Sequence, residues 1–135
     1  MVEEAKRLNS GLLATSRVSF IQGSSECLPF ADDAFNKALA VHTIYFWQRP
    51  EAHLAEIARV LRPNGRFCLC FGDEVFMRNL PFVQYGFQLY DTSQVVRKLN
   101  LAGFHVTQSL IHEEMGESNA GEPVQKRINI ITCAT

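Results

Sequence analysis

The sequence has little excess charge, no long apolar run, almost no glycine in its first half and no spaced cysteine pair. Its 135 residues carry 13 Lys and Arg against 14 Asp and Glu, a formal net charge of -1. Nothing in that balance attracts a polyanionic backbone, so nucleic acid is excluded as an expected partner. No stretch approaches the roughly 20 apolar residues that cross a bilayer. The opening MVEEAKRLN lacks the basic-then-apolar order of a signal peptide, and the expectation is a cytoplasmic protein with no membrane partner. Cys27, Cys68, Cys70 and Cys133 form no C-x-x-C motif, so no metal site is expected. Cys68 and Cys70 alternate with Phe67, Leu69 and Phe71, which puts both thiols on one face of a buried strand. Before Gly65 the only glycines are Gly11 and Gly23, so no G-x-G pattern follows a strand and opens a helix.

What is present reads as one α/β domain over residues 1–135, given 47% hydrophobic and 20% charged residues. Residues 3 to 14 carry Ala5, Leu8 and Leu12 at helical spacing, with a helix expected to end near Asn9 to Gly11 or to fray beyond. Val18 to Gln22 reads as a strand, Asp32 to Asn36 as a turn or a short helical segment and Lys37 to Ile44 as a strand covered on both faces. Pro50 and Glu51 suit a first helical turn, and Leu54, Ile57, Ala58 and Leu61 continue one stripe until Pro63, Asn64 and Gly65 stop it. Arg66 to Phe71 is a strand, and residues 72 to 90 are aromatic and irregular with one or two helical turns. Thr92 or Ser93 can cap a helix through Leu101, with Val95, Val96 and Leu99 buried and Gly103 as the stop. Phe104 to Ile111 and Arg127 to Ala134 read as two strands joined by a long exposed polar connection, HEEMGESNAGEPVQK.

The run VSFIQGSSECLPFADDAF, with YFWQRP and EAHLAEIARVLRPNGRF after it, resembles the class I S-adenosylmethionine-dependent methyltransferases, in the branch acting on small molecules. The resemblance runs along the whole chain. It implies a Rossmann-like sheet of seven strands in the order 3, 2, 1, 4, 5, 7, 6, with strand 7 antiparallel. Val18 to Gln22 then matches strand 3, Lys37 to Ile44 strand 4, Arg66 to Phe71 strand 5, and the last two strands 6 and 7. Strands 1 and 2, with the Gly-rich turn and the ribose-binding acid, have no counterpart, so the expectation is a truncated domain holding the equivalents of strands 3 to 7. An open edge beside strand 4 would then be covered by pairing of strands 3 and 4, by a partner chain or by exchange of elements. A homo-oligomer or element-exchanged dimer is expected.

The resemblance implies S-adenosylmethionine as cofactor, a small-molecule substrate, and cofactor contacts from Gly23, Ser24, Ser25, Glu26, His42 and Thr43. Ser24 stands where the family more often has Asp, and Leu28, Pro29 and Phe30 complete the motif. His42 is the candidate general base, against the plainer reading of a hydrogen-bonded structural histidine. Tyr45, Phe46 and Trp47 either shape the cofactor pocket or pack in the core. His53 and Glu56, at i, i+3 on a helix, read as a solvated face, and His112, Glu113 and Glu114 as a strand end and loop. The segment from Phe76 to Tyr90 corresponds to the variable region that covers substrate. Two alternatives stand beside methyl transfer: a catalytically inactive remnant or interaction module, and a nicotinamide-dependent Rossmann enzyme. The second lacks its glycine fingerprint.

Overall fold

A computed structural model describes residues 1–117 and 121–135. Helix α3 (Pro50–Val60) begins with proline at its first turn and buries Leu54 and Ile57. Leu61, expected to extend its stripe, is already extended at φ -86° and ψ 137° and opens strand β2 (Leu61–Gly72). The reason lies just downstream. Pro63 disfavours helical backbone at Arg62, and Asn64 takes a left-handed φ of 63°. Gly65 completes the turn, because a Cβ there would stand 2.7 Å from the Arg62 carbonyl oxygen. The chain then runs parallel to strand β1 (Phe35–Val41), from Lys37 opposite Arg66 to Val41 opposite Cys70.

The described residues form a four-stranded sheet in the order β1-β2-β4-β3, with β3 (His105–Glu117) and β4 (Pro123–Ala134) antiparallel to each other and β4 antiparallel to β2. This is the expected order 4, 5, 7, 6. The polar stretch read as a connection is instead mostly ladder: His112 pairs with Ile128, Glu113 with Arg127 and Glu117 with Pro123. Only residues 118–120 of it lie outside the described residues. The ribbon is exposed along most of its length, so no apolar alternation marks it, and opposite charges across the strands support the register instead.

Helix α5 (Thr92–Leu101) is capped by Asp91 rather than by Thr92 or Ser93. The Asp91 carboxylate accepts from Gln94 N at 2.8 Å, and the Gln94 side chain accepts from Asp91 N at 3.1 Å. Gly103 ends the helix at φ 89°. Helices α3 and α5 cover one face of the sheet, where Phe67, Leu69, Phe71, Leu99 and Ile131 are fully buried. Each such side chain contributes about 1.5–3 kcal/mol of burial.

Two expectations fail. Val18 to Gln22 forms no strand and pairs with nothing in the sheet, so strands 3 and 4 of the family plan are not joined and the outer edge of β1 stays open. An isolated bridge between Ser24 and Cys27 is the only sheet-like contact in that segment. The other is the strand Lys37 to Ile44, expected to be covered on both faces, since β1 is largely exposed. The amino-terminal helix behaves as read: α1 (Val2–Leu8) ends at Asn9, a short piece α2 (Ser10–Ala14) follows, and neither buries a residue. The sheet face turned away from α3 and α5 is uncovered. Leu39 is 67% exposed on it, with Val41, Leu110 and the half-buried Cys68 and Cys70 beside it. The two thiols do share that face, 3.9 Å apart.

Candidate functional site

The Gly23–Phe30 turn is held by α3, and the residues that hold it include the pair read as a solvated helix face. His53 is only 7% exposed. Its ring stacks on Trp47, with centroids 4.8 Å apart and planes 7° from parallel. Its Nδ1 meets Ser25 Oγ at 2.7 Å, and its Nε2 lies 3.5 Å from Glu26 Oε1, which Arg49 also approaches at 3.3 Å. Burial pushes the His53 pKa below the ordinary histidine value, with Glu26 opposing and Arg49 adding to the shift.

One turn further along, Glu56 Oε1 accepts from Leu28 N at 2.8 Å. Arg59 grips both Glu56 oxygens and donates to the carbonyls of Leu28 and Phe30 and to the Asp32 carboxylate. The Arg59 fork, then the Leu28 N–H, hold the Glu56 pKa down to about 2. Phe30 closes the turn edge-on against Phe35, at 4.8 Å. On the sequence this helix face looked solvated because its partners lie about 28 residues upstream.

At the carboxyl ends of β1 and β2 the backbone opens a cleft of about 1200 Å³. His42 stands at its rim, in left-handed backbone at φ 53°, where a non-glycine residue is strained. Its N–H donates to the Cys70 carbonyl at 2.9 Å, which carries the ladder one residue past β1. Its Nδ1 lies 3.1 Å from the hydroxyl of Tyr45, and that hydroxyl accepts from Gly72 N. Burial raises the Tyr45 pKa, with the Gly72 hydrogen bond opposing, so the phenol stays protonated. Gly72 is required by crowding: a Cβ there would stand 2.6 Å from Met77.

The aromatic segment forms the opposite wall. Phe87 sits 4.7 Å from Phe46, 5.3 Å from Phe82 and 5.6 Å from Tyr45, ring centre to ring centre. Its first helical turn, α4 (Glu74–Met77), is capped by Asp73, whose carboxylate also receives the Nδ2 of the fully buried Asn129 at 3.3 Å. Asn129 Oδ1 in turn accepts from Thr92 at 2.7 Å. Arg127 lies 3.8 Å from Asp73 and 3.4 Å from Glu113, so the cleft floor is tied to the β3–β4 ribbon. Sequence reading missed Asp73, Asn129 and Arg127, because each looks like an ordinary strand-end polar residue until the sheet order joins them.

The candidate cofactor residues do not fall into one pocket. His42 lines the cleft, while Gly23 lines a separate cavity of about 230 Å³ with Ser19, Ile21, Leu28, Pro29 and Phe30. Ser24, Ser25, Glu26 and Thr43 line neither. Ser24 accepts from Glu26 N at 3.3 Å, Ser25 and Glu26 face His53, and the Thr43 carbonyl accepts from Phe46 N. Tyr45 and Trp47 are core residues, and Phe46 is exposed in the cleft wall. His112, Glu113 and Glu114 lie inside β3 rather than at its end. Among the described residues no three His, Cys, Asp or Glu side chains gather as metal ligands.

A family profile described as "Methyltransferase domain" matches residues 1–69, half of the chain. The chain belongs to that family. A demethylmenaquinone methyltransferase of Clavibacter sepedonicus is 27% identical over 129 residues, covering 96% of this chain and 49% of that protein. The ubiquinone/menaquinone biosynthesis C-methyltransferase UbiE of Paracoccus denitrificans is 38% identical over 96 residues, 67% of this chain and 34% of that protein. Among solved structures, a SAM-dependent methyltransferase from Aquifex aeolicus superimposes with a TM-score of 0.72 at 16% identity, over 98% of this chain and 62% of that one. The methyltransferase domain therefore has the class I fold, and it spans about half or less of the length of these two curated relatives.

Proposed function

We propose that this domain takes part in S-adenosylmethionine-dependent methyl transfer to a small molecule, with residues 1–135 acting as one domain. The observation that carries the reading is the cleft of about 1200 Å³ at the carboxyl ends of β1 and β2, where open α/β sheets hold their ligands. When bound, the cofactor supplies a methyl carbon on a sulfonium centre that a substrate nucleophile can displace. The residues offered to its two ends sit apart, His42 in the cleft and Gly23 in the separate smaller cavity. At the adenine end, nothing lies within 4 Å of where a Gly23 Cβ would stand, and Ser24 offers a hydroxyl beside that open backbone. Ser25 and Glu26 act by fixing the turn, through His53 and Arg49. At the sulfonium end, Thr43 and His42 follow β1, and the faces of Tyr45 and Phe46 favour a cation.

The chain's own contribution is orientation and exclusion of water. The apolar wall of Phe46, Phe82 and Phe87 suits an apolar acceptor, in keeping with the quinone methyltransferases to which the chain is similar. No helix among the described residues is long and apolar enough to cross a membrane, and we place the domain in the cytoplasm. Incubation with cofactor labelled in its methyl group and a demethylated quinol tests the reading. Label in the organic extract supports it, and none from a folded, cofactor-saturated sample contradicts it.

A second reading, a non-catalytic module that self-associates, is favoured by the open β1 edge and the exposed Leu39, Val41 and Leu110 beside it. Pairing of β1 with a second copy would satisfy that edge. Sedimentation velocity tests this: a concentration-independent monomer contradicts self-association.

A further inference from the structure

We propose that Tyr45 is a positioning residue whose hydroxyl donates to His42 Nδ1 and so fixes His42 as the Nε2–H tautomer, a hydrogen-bond donor to the acceptor molecule rather than its base. The argument is a proton count on one buried oxygen. Tyr45 is 3% exposed, and its hydroxyl makes two hydrogen bonds, with Gly72 N and with His42 Nδ1 at 3.1 Å. Gly72 N–H can only donate, so it occupies a lone pair of the phenol oxygen. The phenol proton then needs an acceptor, and Nδ1 is the one in reach. If Nδ1 carried the proton instead, the oxygen would receive two donors and its own proton would be buried without a partner.

The two ring nitrogens have distinct roles set by the bond the other makes. With Nδ1 occupied, Nε2 carries the proton, on an exposed residue that lines the cleft. The strained φ of 53° at His42 and the Cβ-intolerant backbone at Gly72 hold the two partners in place. The inference rests on the reading of this cleft as the acceptor site. It specifies the acceptor class: a small molecule presenting a carbonyl, enolate or phenolate oxygen to His42, already ionised or needing no base from this residue.

The test is two-bond proton–nitrogen correlation NMR on the histidine-labelled full chain at about pH 8.5, some two units above the ordinary histidine pKa. The expected spectrum has His42 as Nε2–H, and Tyr45→Phe moves it towards a mixture of tautomers while His53 keeps its pattern. An Nδ1–H pattern in the unmodified chain overturns the assignment without any variant. An unchanged His42 pattern in folded Tyr45→Phe overturns the role of Tyr45. Addition of 4-nitrophenolate, ionised at that pH, should move the His42 Nε2–H resonance, whereas 4-nitroanisole should not. In a chain labelled with nitrogen-15 throughout, shifts of the Phe46 and Phe87 amides without any at His42 overturn the donor role. No shift at either amide contradicts the cleft as acceptor site and the donor role with it, while the tautomer assignment stands or falls on the spectrum without ligand.

Discussion

Replacing His53 by alanine removes the imidazole that ties α3 to the Ser24–Phe30 turn. Two interactions go at once. The face-to-face contact with Trp47 at 4.8 Å contributes about 0.5–1.5 kcal/mol. The hydrogen bond to Ser25 at 2.7 Å contributes about 0.5–1.5 kcal/mol. Together they predict a loss of about 1–3 kcal/mol in urea unfolding. Trp47, the only tryptophan, reports the transition by fluorescence. The loss should also be local. The Cys27 amide, which donates to Ser24 O at 3.1 Å, should exchange with solvent faster, while the Leu69 amide in β2 should follow only the global change. Destabilisation below about 0.5 kcal/mol, within the range of ordinary surface substitutions, or equal acceleration at both amides, would refute the view that His53 secures this turn.

The depressed His53 pKa predicts a pH dependence of definite sign. The unfolded chain takes up the proton first, so stability is full above about pH 6.5 and falls as pH drops towards the lowered folded value. Protonation should quench Trp47 with a midpoint below that of a free histidine peptide, and a midpoint at or above it would contradict the burial. Glu56 has a folded pKa of about 2 against an ordinary carboxylate value of 4.5. Its contribution is complete above that ordinary value and vanishes as pH falls through about 2. The Glu56→Gln chain should therefore differ from the unmodified one in Leu28 amide exchange at neutral pH, and converge with it in strong acid. Gly72→Ala forces a methyl against buried Met77 and the Tyr45 hydroxyl; overpacking of this kind costs about 1–3 kcal/mol, read as a lowered thermal midpoint. An unchanged midpoint would mean the cleft floor is slack.

The elements that could be read from the sequence were those whose signal is local. Pro50 and the Leu54–Ile57 stripe located α3, and Gly103 located the end of α5. The alternating Phe67, Leu69 and Phe71 located the centre of β2. The family pattern then supplied the strand order. What escaped was non-local. Val18 to Gln22 has strand-forming residues but no neighbouring strand, and a strand without a ladder is not one. The outer half of the β3–β4 ribbon, where His112 to Glu117 pair with Pro123 to Ile128, is mostly exposed, so its polar residues looked like a loop. His53 and Glu56 carried no mark of their upstream partners, and the Tyr45 hydroxyl became visible as a bridge only when β1 and β2 brought His42 and Gly72 to its two sides.

Calorimetric titration of the purified 135-residue chain with S-adenosylhomocysteine, the product of methyl transfer, tests the central claim most directly. The account predicts saturable heat with one site per domain, weakened several-fold by His53→Ala through the loosened turn. A folded sample that gives no heat across the titration would contradict the assignment of Gly23, Ser24, His42 and Thr43 to the cofactor.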